Sequence, residues 1–135
     1  MLDHLQQRVI DLLEPTKAVT LSTYGPAGIQ AQVVDGAARG DTLYMLVPAT
    51  TEHLYNLEYE HVVVVTTTHW QLRGRARPLP PYDMPADDPF FLSHQFDDFV
   101  VVEVRPLRVE IGQPDGGGFS ETIDIEDMAF APHGV

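Results

Sequence analysis

Apolar residues recur at spacings of three and four over residues 2–13, where Leu2, Leu5, Val9, Ile10, Leu12 and Leu13 enclose Gln6, Gln7, Arg8 and Asp11. That period predicts an amphipathic helix. Asp3 and Gln6 fit a capping box, a register that would leave Leu2 outside the helix, and Pro15 ends the pattern. From Lys17 the period changes to two. Ala18, Thr20 and Ser22 alternate with Val19, Leu21 and Thr23, the turn residues Gly25, Pro26, Ala27 and Gly28 follow, and a second strand over residues 29–34 completes a hairpin.

Residues 35–41, rich in Gly, Ala and Asp, read as a loop, and residues 42–47 as a third strand stopped by Pro48. Thr50 or Thr51 can cap a short helix in which Leu54 and Leu57 share a face. Residues 61–68 are dense in β-branched side chains and predict a central strand, apolar on both faces. Residues 70–77 alternate cleanly: Trp70, Leu72, Gly74 and Ala76 point one way, and Gln71, Arg73, Arg75 and Arg77 the other. Pro78, Pro80, Pro81, Pro85 and Pro89 make the next stretch irregular, before Phe90, Phe91, Leu92 and Phe96 form a short helix or an aromatic plug. Residues 99–111 predict a long strand, in which Pro106 implies a bulge or an edge. A turn over residues 114–118 and a weak alternation over residues 119–128 close the chain.

Successive strands joined by short turns favour antiparallel pairing, and closing the sheet removes its edges. The expected fold is therefore mainly β with flanking helices, a small, partly open antiparallel barrel forming one domain over residues 1–135. The Pro-rich segment is a connection inside that domain, because the strongest strand follows it.

Charge narrows the partners. Eight Lys plus Arg against 20 Asp plus Glu give a net charge of −12, which argues against nucleic acid, a polyanion held mainly by cations. Apolar runs such as residues 62–65 and 99–102 have four residues, far short of the roughly 20 that a bilayer-spanning helix needs. No secretory signal pattern opens the chain, so the expected compartment is the cytoplasm. The absence of cysteine excludes disulfides, thiolate metal centres and a thiol nucleophile. The six histidines (4, 53, 61, 69, 94 and 133) show no metal-binding spacing, so no metal is expected. His61 and His69 flank a strand and read as turn residues. Asp83, Asp87, Asp88, Asp97 and Asp98 around Phe90, Phe91 and Phe96 read as a solvated acidic surface over an aromatic plug, or else as an acidic lid over a pocket; their spacing does not fit a calcium loop. Ser22, Ser93 and Ser120 lack a nucleophile elbow, and Gly116, Gly117 and Gly118 lack the following Lys of a phosphate loop. Arg73, Arg75 and Arg77 are the one cationic cluster. They read either as an anion-binding row or as a strand face answering acids on a neighbouring strand or subunit.

The ordered set of pieces resembles the pyridoxamine 5′-phosphate oxidase-like, flavin mononucleotide-binding split-barrel family. These pieces are the opening helix with Ala18-Val19-Thr20-Leu21-Ser22-Thr23, then Gly25-Pro26-Ala27-Gly28, Thr42-Leu43-Tyr44-Met45-Leu46 and Thr50-Thr51-Glu52-His53-Leu54-Tyr55-Asn56-Leu57. His61-Val62-Val63-Val64-Val65 and Leu72-Arg73-Gly74-Arg75-Ala76 follow. The resemblance is strongest over residues 2–79 and 99–111. It implies a homodimer holding flavin mononucleotide (FMN) near its interface, a small-molecule redox substrate, and no acid–base dyad, so no catalytic side chain is assigned. The implied cofactor contacts are Gln30, Gln32, Thr50, Thr51 and His53 at the phosphate end, and Trp70, Gln71 and Arg73 near the ring or across the interface. The match departs from the family where basic residues are expected: this chain has Thr51-Glu52-His53 at the short helix, and Gln30, Gln32 and Asp35 on the second strand. A barrel that has lost flavin and serves as a binding or regulatory module, or one that holds a deazaflavin or haem, is the alternative implied.

Overall fold

The alternation of apolar and polar positions is realised as seven strands wound around one core. The computed structural model describes residues 2–80, 83–85, 87–92, 98–112 and 118–125. In chain order the elements are α1 (Leu2–Leu13), β1 (Ala18–Gly25), β2 (Gly28–Arg39), β3 (Thr42–Pro48), α2 (Glu52–Leu57) and β4 (Val62–Thr66). They continue with β5 (Trp70–Pro78), α3 (Pro89–Leu92), β6 (Phe99–Gly112) and β7 (Phe119–Asp124). The sheet runs β3-β2-β1-β4-β5-β6-β7, and a further β3–β6 pairing closes the first six of these into a barrel, leaving β7 as an added edge. All pairings are antiparallel. The expected split barrel is the observed one.

Inward positions supply the core. Leu21, Leu43, Met45, Val47, Val65, Leu72, Val102, Val104 and Val109 are fully enclosed, and Val9 and Leu13 on the apolar stripe of α1 plug one end. β5 alternates as its sequence predicts, with Trp70, Leu72, Gly74 and Ala76 buried and Arg73, Arg75 and Arg77 exposed. A second, smaller cluster lies on the outer face, where Tyr44 and Leu46 of β3 and Val101 of β6 pack beneath Phe90 and Phe91 of α3. The short helix and the aromatic plug are therefore the same element. Phe96 and Asp97 lie outside the described residues.

Three expectations change in detail. Residues 35–39 are strand, not loop: β2 continues to Arg39, pairing with β1 as far as Asp35 and with β3 from Asp35 onward. Backbone pairing overrides the loop-like composition there, because Gly36 and Ala37 are buried, where small side chains are needed. The reversal is confined to Gly40 and Asp41, with Gly40 at φ +62°, a conformation glycine adopts without strain. β4 is shorter than expected, and Val62 and Val64 on its outer face are only half-buried. Leu2 belongs to α1.

Pro106 sits in a bulge. The β5–β6 register passes from Arg73↔Arg108 to Gly74↔Pro106, skipping Leu107. β6 pairs with β3 through Val104 and with β7 from Arg108 onward, so Pro106 falls in the gap between those ladders, where its missing N–H costs no bond. The bulge also sets side-chain direction. Arg105 and Arg108 are an odd number of residues apart and would face opposite sides of a regular strand, yet the extra residue lets both register with outward arginines of β5.

Candidate functional site

The implied contact residues fall in three places: around α2 and the β1–β2 hairpin, in the core (Trp70), and on the outer face of β5. α2 opens with Thr51 as N-cap, its hydroxyl accepting from the His53 amide at 3.5 Å. Glu52 occupies the first turn and is exposed, and Thr50 is exposed beside it. His53 does not present a cation at the helix start. It is 1% exposed, and its Nδ1 lies 2.7 Å from the buried hydroxyl of Thr23.

Asn56, one turn further and fully buried, completes this network. Its Nδ2 donates to Thr23 Oγ1 (3.1 Å) and to the Gly28 carbonyl (3.0 Å), and its Oδ1 accepts from the Ala27 amide (3.0 Å). α2 is thereby clamped to the tip of the β1–β2 hairpin. Gly25 is required at this closure, since a Cβ there would stand 2.7 Å from Asn56 Oδ1. The Thr23 oxygen thus bridges Asn56 Nδ2 and His53 Nδ1, tying the imidazole and the amide into one buried network. Burial disfavours the charged imidazole and lowers its pKa below the ordinary 6.5. Asn56 carries no unusual sequence signal. Its role depends on a hairpin about 30 residues away, which only the fold brings near.

Gln30 pairs with Thr23 across β1–β2 and donates to the Ala27 carbonyl at 2.9 Å, and Gln32 pairs with Leu21 and is exposed. Both share the core-side face of the hairpin. Trp70 is 4% exposed and belongs to the core, with no open ring face for a cofactor. Gln71 and Arg73 lie on the opposite, outer face, in register with Thr66 and Val64 of β4. That outer face continues onto β1 and β2 as Ser22↔Ala31, Thr20↔Val33 and Tyr24↔Ile29. Tyr24, Ile29 and Val33 are 65%, 76% and 69% exposed. Three such side chains beside half-buried Val62 and Val64 form an apolar patch of the kind that marks an interaction surface.

The arginine row borders this patch. Arg77 donates to the buried Glu103 at 3.0 Å, so it answers an acid on the neighbouring strand. Across the same β5–β6 ladder Arg73 is in register with Arg108, and Arg75 with Arg105. Of the acidic segment, Asp83, Asp87 and Asp98 are exposed, as a solvated surface requires, whereas Asp88 is structural: it pairs with Arg39 through two bonds of 2.5 and 2.7 Å and receives the Phe90 amide at 3.0 Å, and the Arg39 bond lowers its pKa. Among the described residues no group of three potential metal ligands occurs, and no helix is long and apolar enough to cross a membrane. His61 and His69 are exposed and flank β4 as expected.

No protein-family model and no curated protein matches the sequence. Solved structures do match in fold. A protein related to general stress protein 26, of the pyridoxinephosphate oxidase family, from Clostridium acetobutylicum is similar with a TM-score of 0.65 at 12% identity, covering 93% of this chain and 98% of its own. A heme binding protein from Mycobacterium smegmatis gives 0.63 at 19% identity over 93% of this chain and 59% of the neighbour. An F420 reductase gives 0.55 at 21% identity over 73% and 93%. A closed six-strand antiparallel barrel with this element order, shared with neighbours of such low identity, identifies the chain's fold as the split barrel of the pyridoxamine 5′-phosphate oxidase-like proteins.

Proposed function

We propose that this chain is an FMN-binding split-barrel protein that works as a homodimer and carries out flavin-dependent redox chemistry on a small molecule. The observation that carries the reading is the exposed apolar face of β1, β2 and β4, flanked by Gln71 and Arg73. Covering Tyr24, Ile29 and Val33 with a second copy removes them from water, and the seam can exclude water from a ring lying beside it. Gln30 and Gln32 are on the other side of the sheet, three strand spacings or roughly 14 Å from β5. In this reading the ligand lies between two copies, with Gln30, Gln32, Thr50 and Thr51 from one and Gln71 and Arg73 from the other.

When bound, flavin would supply hydride or electron transfer. The chain's part is to orient the ring by the Gln71 amide and the Arg73 guanidinium, to shield it with the apolar face, and to receive the phosphate on Gln30, Gln32, Thr50 and Thr51. His53 enters this reading only through the position of α2. Visible absorption of the purified protein and titration with FMN test it. Flavin bands or saturable binding support it, and a colourless protein that binds no FMN at tens of micromolar refutes it.

Exposed Glu52 and buried His53 favour a second reading, because no described side chain gives the α2 start a cation for phosphate. In that reading the barrel serves as a regulatory module without flavin, or holds another group such as a deazaflavin or haem. The fold neighbours named as an F420 reductase and a heme binding protein support keeping both ligands in the titration. Glu52→Arg should tighten FMN binding if charge at α2 is what is missing.

A further inference from the structure

We infer that the outer face of β5 and β6 contains a binding site for a compact oxyanion carrying two negative charges. The site is a pocket of about 250 Å³ lined by His61, Arg75, Ala76, Arg77, Glu103 and Arg105. Its volume lies below the roughly 300–1,000 Å³ usual for drug-sized ligands, which suits a phosphate or small dicarboxylate group better than a whole flavin.

Three arginines and one glutamate give the lining a net charge of 3 − 1 = +2, in a chain whose overall charge is −12. Five of the eight cations, Arg73, Arg75, Arg77, Arg105 and Arg108, belong to these two strands. Like charges directly opposite across an antiparallel pair destabilise it, yet Arg73↔Arg108 and Arg75↔Arg105 are both in register. The β6 bulge aligns Arg108 as well as Arg105 with that row; Arg108 is answered by Glu110 at 3.7 Å outside the pocket, so Arg75 opposite Arg105 is the like-charge pair inside it. An anion between the arginines reverses the sign of that interaction.

Glu103 orders the pocket. It is 5% exposed, and one of its oxygens, Oε1, accepts from Arg77 Nε (3.0 Å) and from Arg105 Nε (3.3 Å). Holding both guanidinium groups by Nε leaves their terminal amino groups to fork onto an oxyanion. Among the described residues, only a loose 3.9 Å approach of Asp83 to Arg77 Nη1 competes for those terminal groups. Arg75 has no ion pair among the described residues. Two guanidinium groups held by a buried acid, with a third beside them, constitute a preorganised receptor.

The site stands independently of flavin binding, and the experiment separates the two. Inorganic phosphate is titrated calorimetrically into the protein at constant ionic strength, alongside Arg75→Ala, Arg105→Ala and the remote exposed Lys17→Ala. Saturable one-site binding is expected, weakened at least tenfold by either arginine substitution and unchanged by Lys17→Ala. Glu103→Gln should weaken it as well, with circular dichroism confirming that the variant folds. No saturable heat up to about 20 mM phosphate, or equal loss in Arg75→Ala and Lys17→Ala, overturns the site. Phosphate that competes with FMN assigns the pocket to a cofactor phosphate, and phosphate that binds without competing assigns it to a separate ligand. FMN binding without phosphate binding refutes this site alone, and the reverse refutes the flavin reading alone.

Discussion

Replacing Asn56 by Ala tests whether the buried network beneath α2 holds the β1–β2 hairpin in place. The substitution removes three hydrogen bonds, to Thr23, Ala27 and Gly28. A typical intramolecular bond contributes about 0.5–1.5 kcal/mol net, and a buried group left unpaired costs about 1–3 kcal/mol. The three losses are unequal. Gly28 is exposed, so water replaces its partner; Ala27 is half-buried; Thr23 is 3% exposed but retains His53. With the small cavity left by the side chain, the expected loss is about 2–4 kcal/mol. Asn56→Asp should lose more at pH 7, because a carboxylate keeps the acceptor facing Ala27 but turns an oxygen toward the Gly28 carbonyl and brings a charge into a fully buried position. Urea unfolding followed by the fluorescence of Trp70, the sole tryptophan and a buried one, measures both variants. Protein concentration must be held fixed, since association would shift apparent stability. A loss below about 1 kcal/mol for Asn56→Ala, or an Asp variant as stable as the parent, would refute the assignment of the clamp.

Other outcomes follow from the same geometry. Burial lowers the His53 pKa from 6.5, so below that pH the unfolded chain binds a proton that the folded chain resists. Stability should be fully present above about pH 6.5 and fall as pH drops toward the lowered folded value, by at most about 1.4 kcal/mol per pH unit. His53→Gln should flatten that limb relative to the parent in urea unfolding at pH 5 to 7. Gly74→Ala places a Cβ 2.5 Å from Val104 Cγ1 and 2.9 Å from the Arg105 carbonyl oxygen; an overpacking cost of about 1–3 kcal/mol should appear as a lower urea midpoint. Val33→Glu adds charge to the exposed apolar face without touching the core. Light scattering should then report a monomer where the parent is a dimer, and unchanged mass for a dimeric parent would remove that face from the interface.

Much of the barrel was legible because its signals are local. The period-two alternation of β5 settles which residues are buried whatever lies beside it, and the turns at Gly25 and Gly28 and the cap at Thr51 depend only on neighbours in the chain. Pro106 announced a bulge or an edge for a local reason too, a missing N–H and a fixed φ, and the pairing of β6 with β5 decided for the bulge. Residues 35–39 could not be read this way, since their small side chains resemble a loop until β1 and β3 are seen to pair on either side. Sequence likewise supplied the candidate contacts one by one but not their faces. Only the closed sheet puts His53 inside, sets Gln71 and Arg73 in register with β4, and draws Asn56 to a hairpin about 30 residues away. The row of Arg73, Arg75 and Arg77 was plain from the sequence. That it meets Arg105 and Arg108 over a buried Glu103 was decided by strand register, because pairing between distant segments fixes which charges face one another.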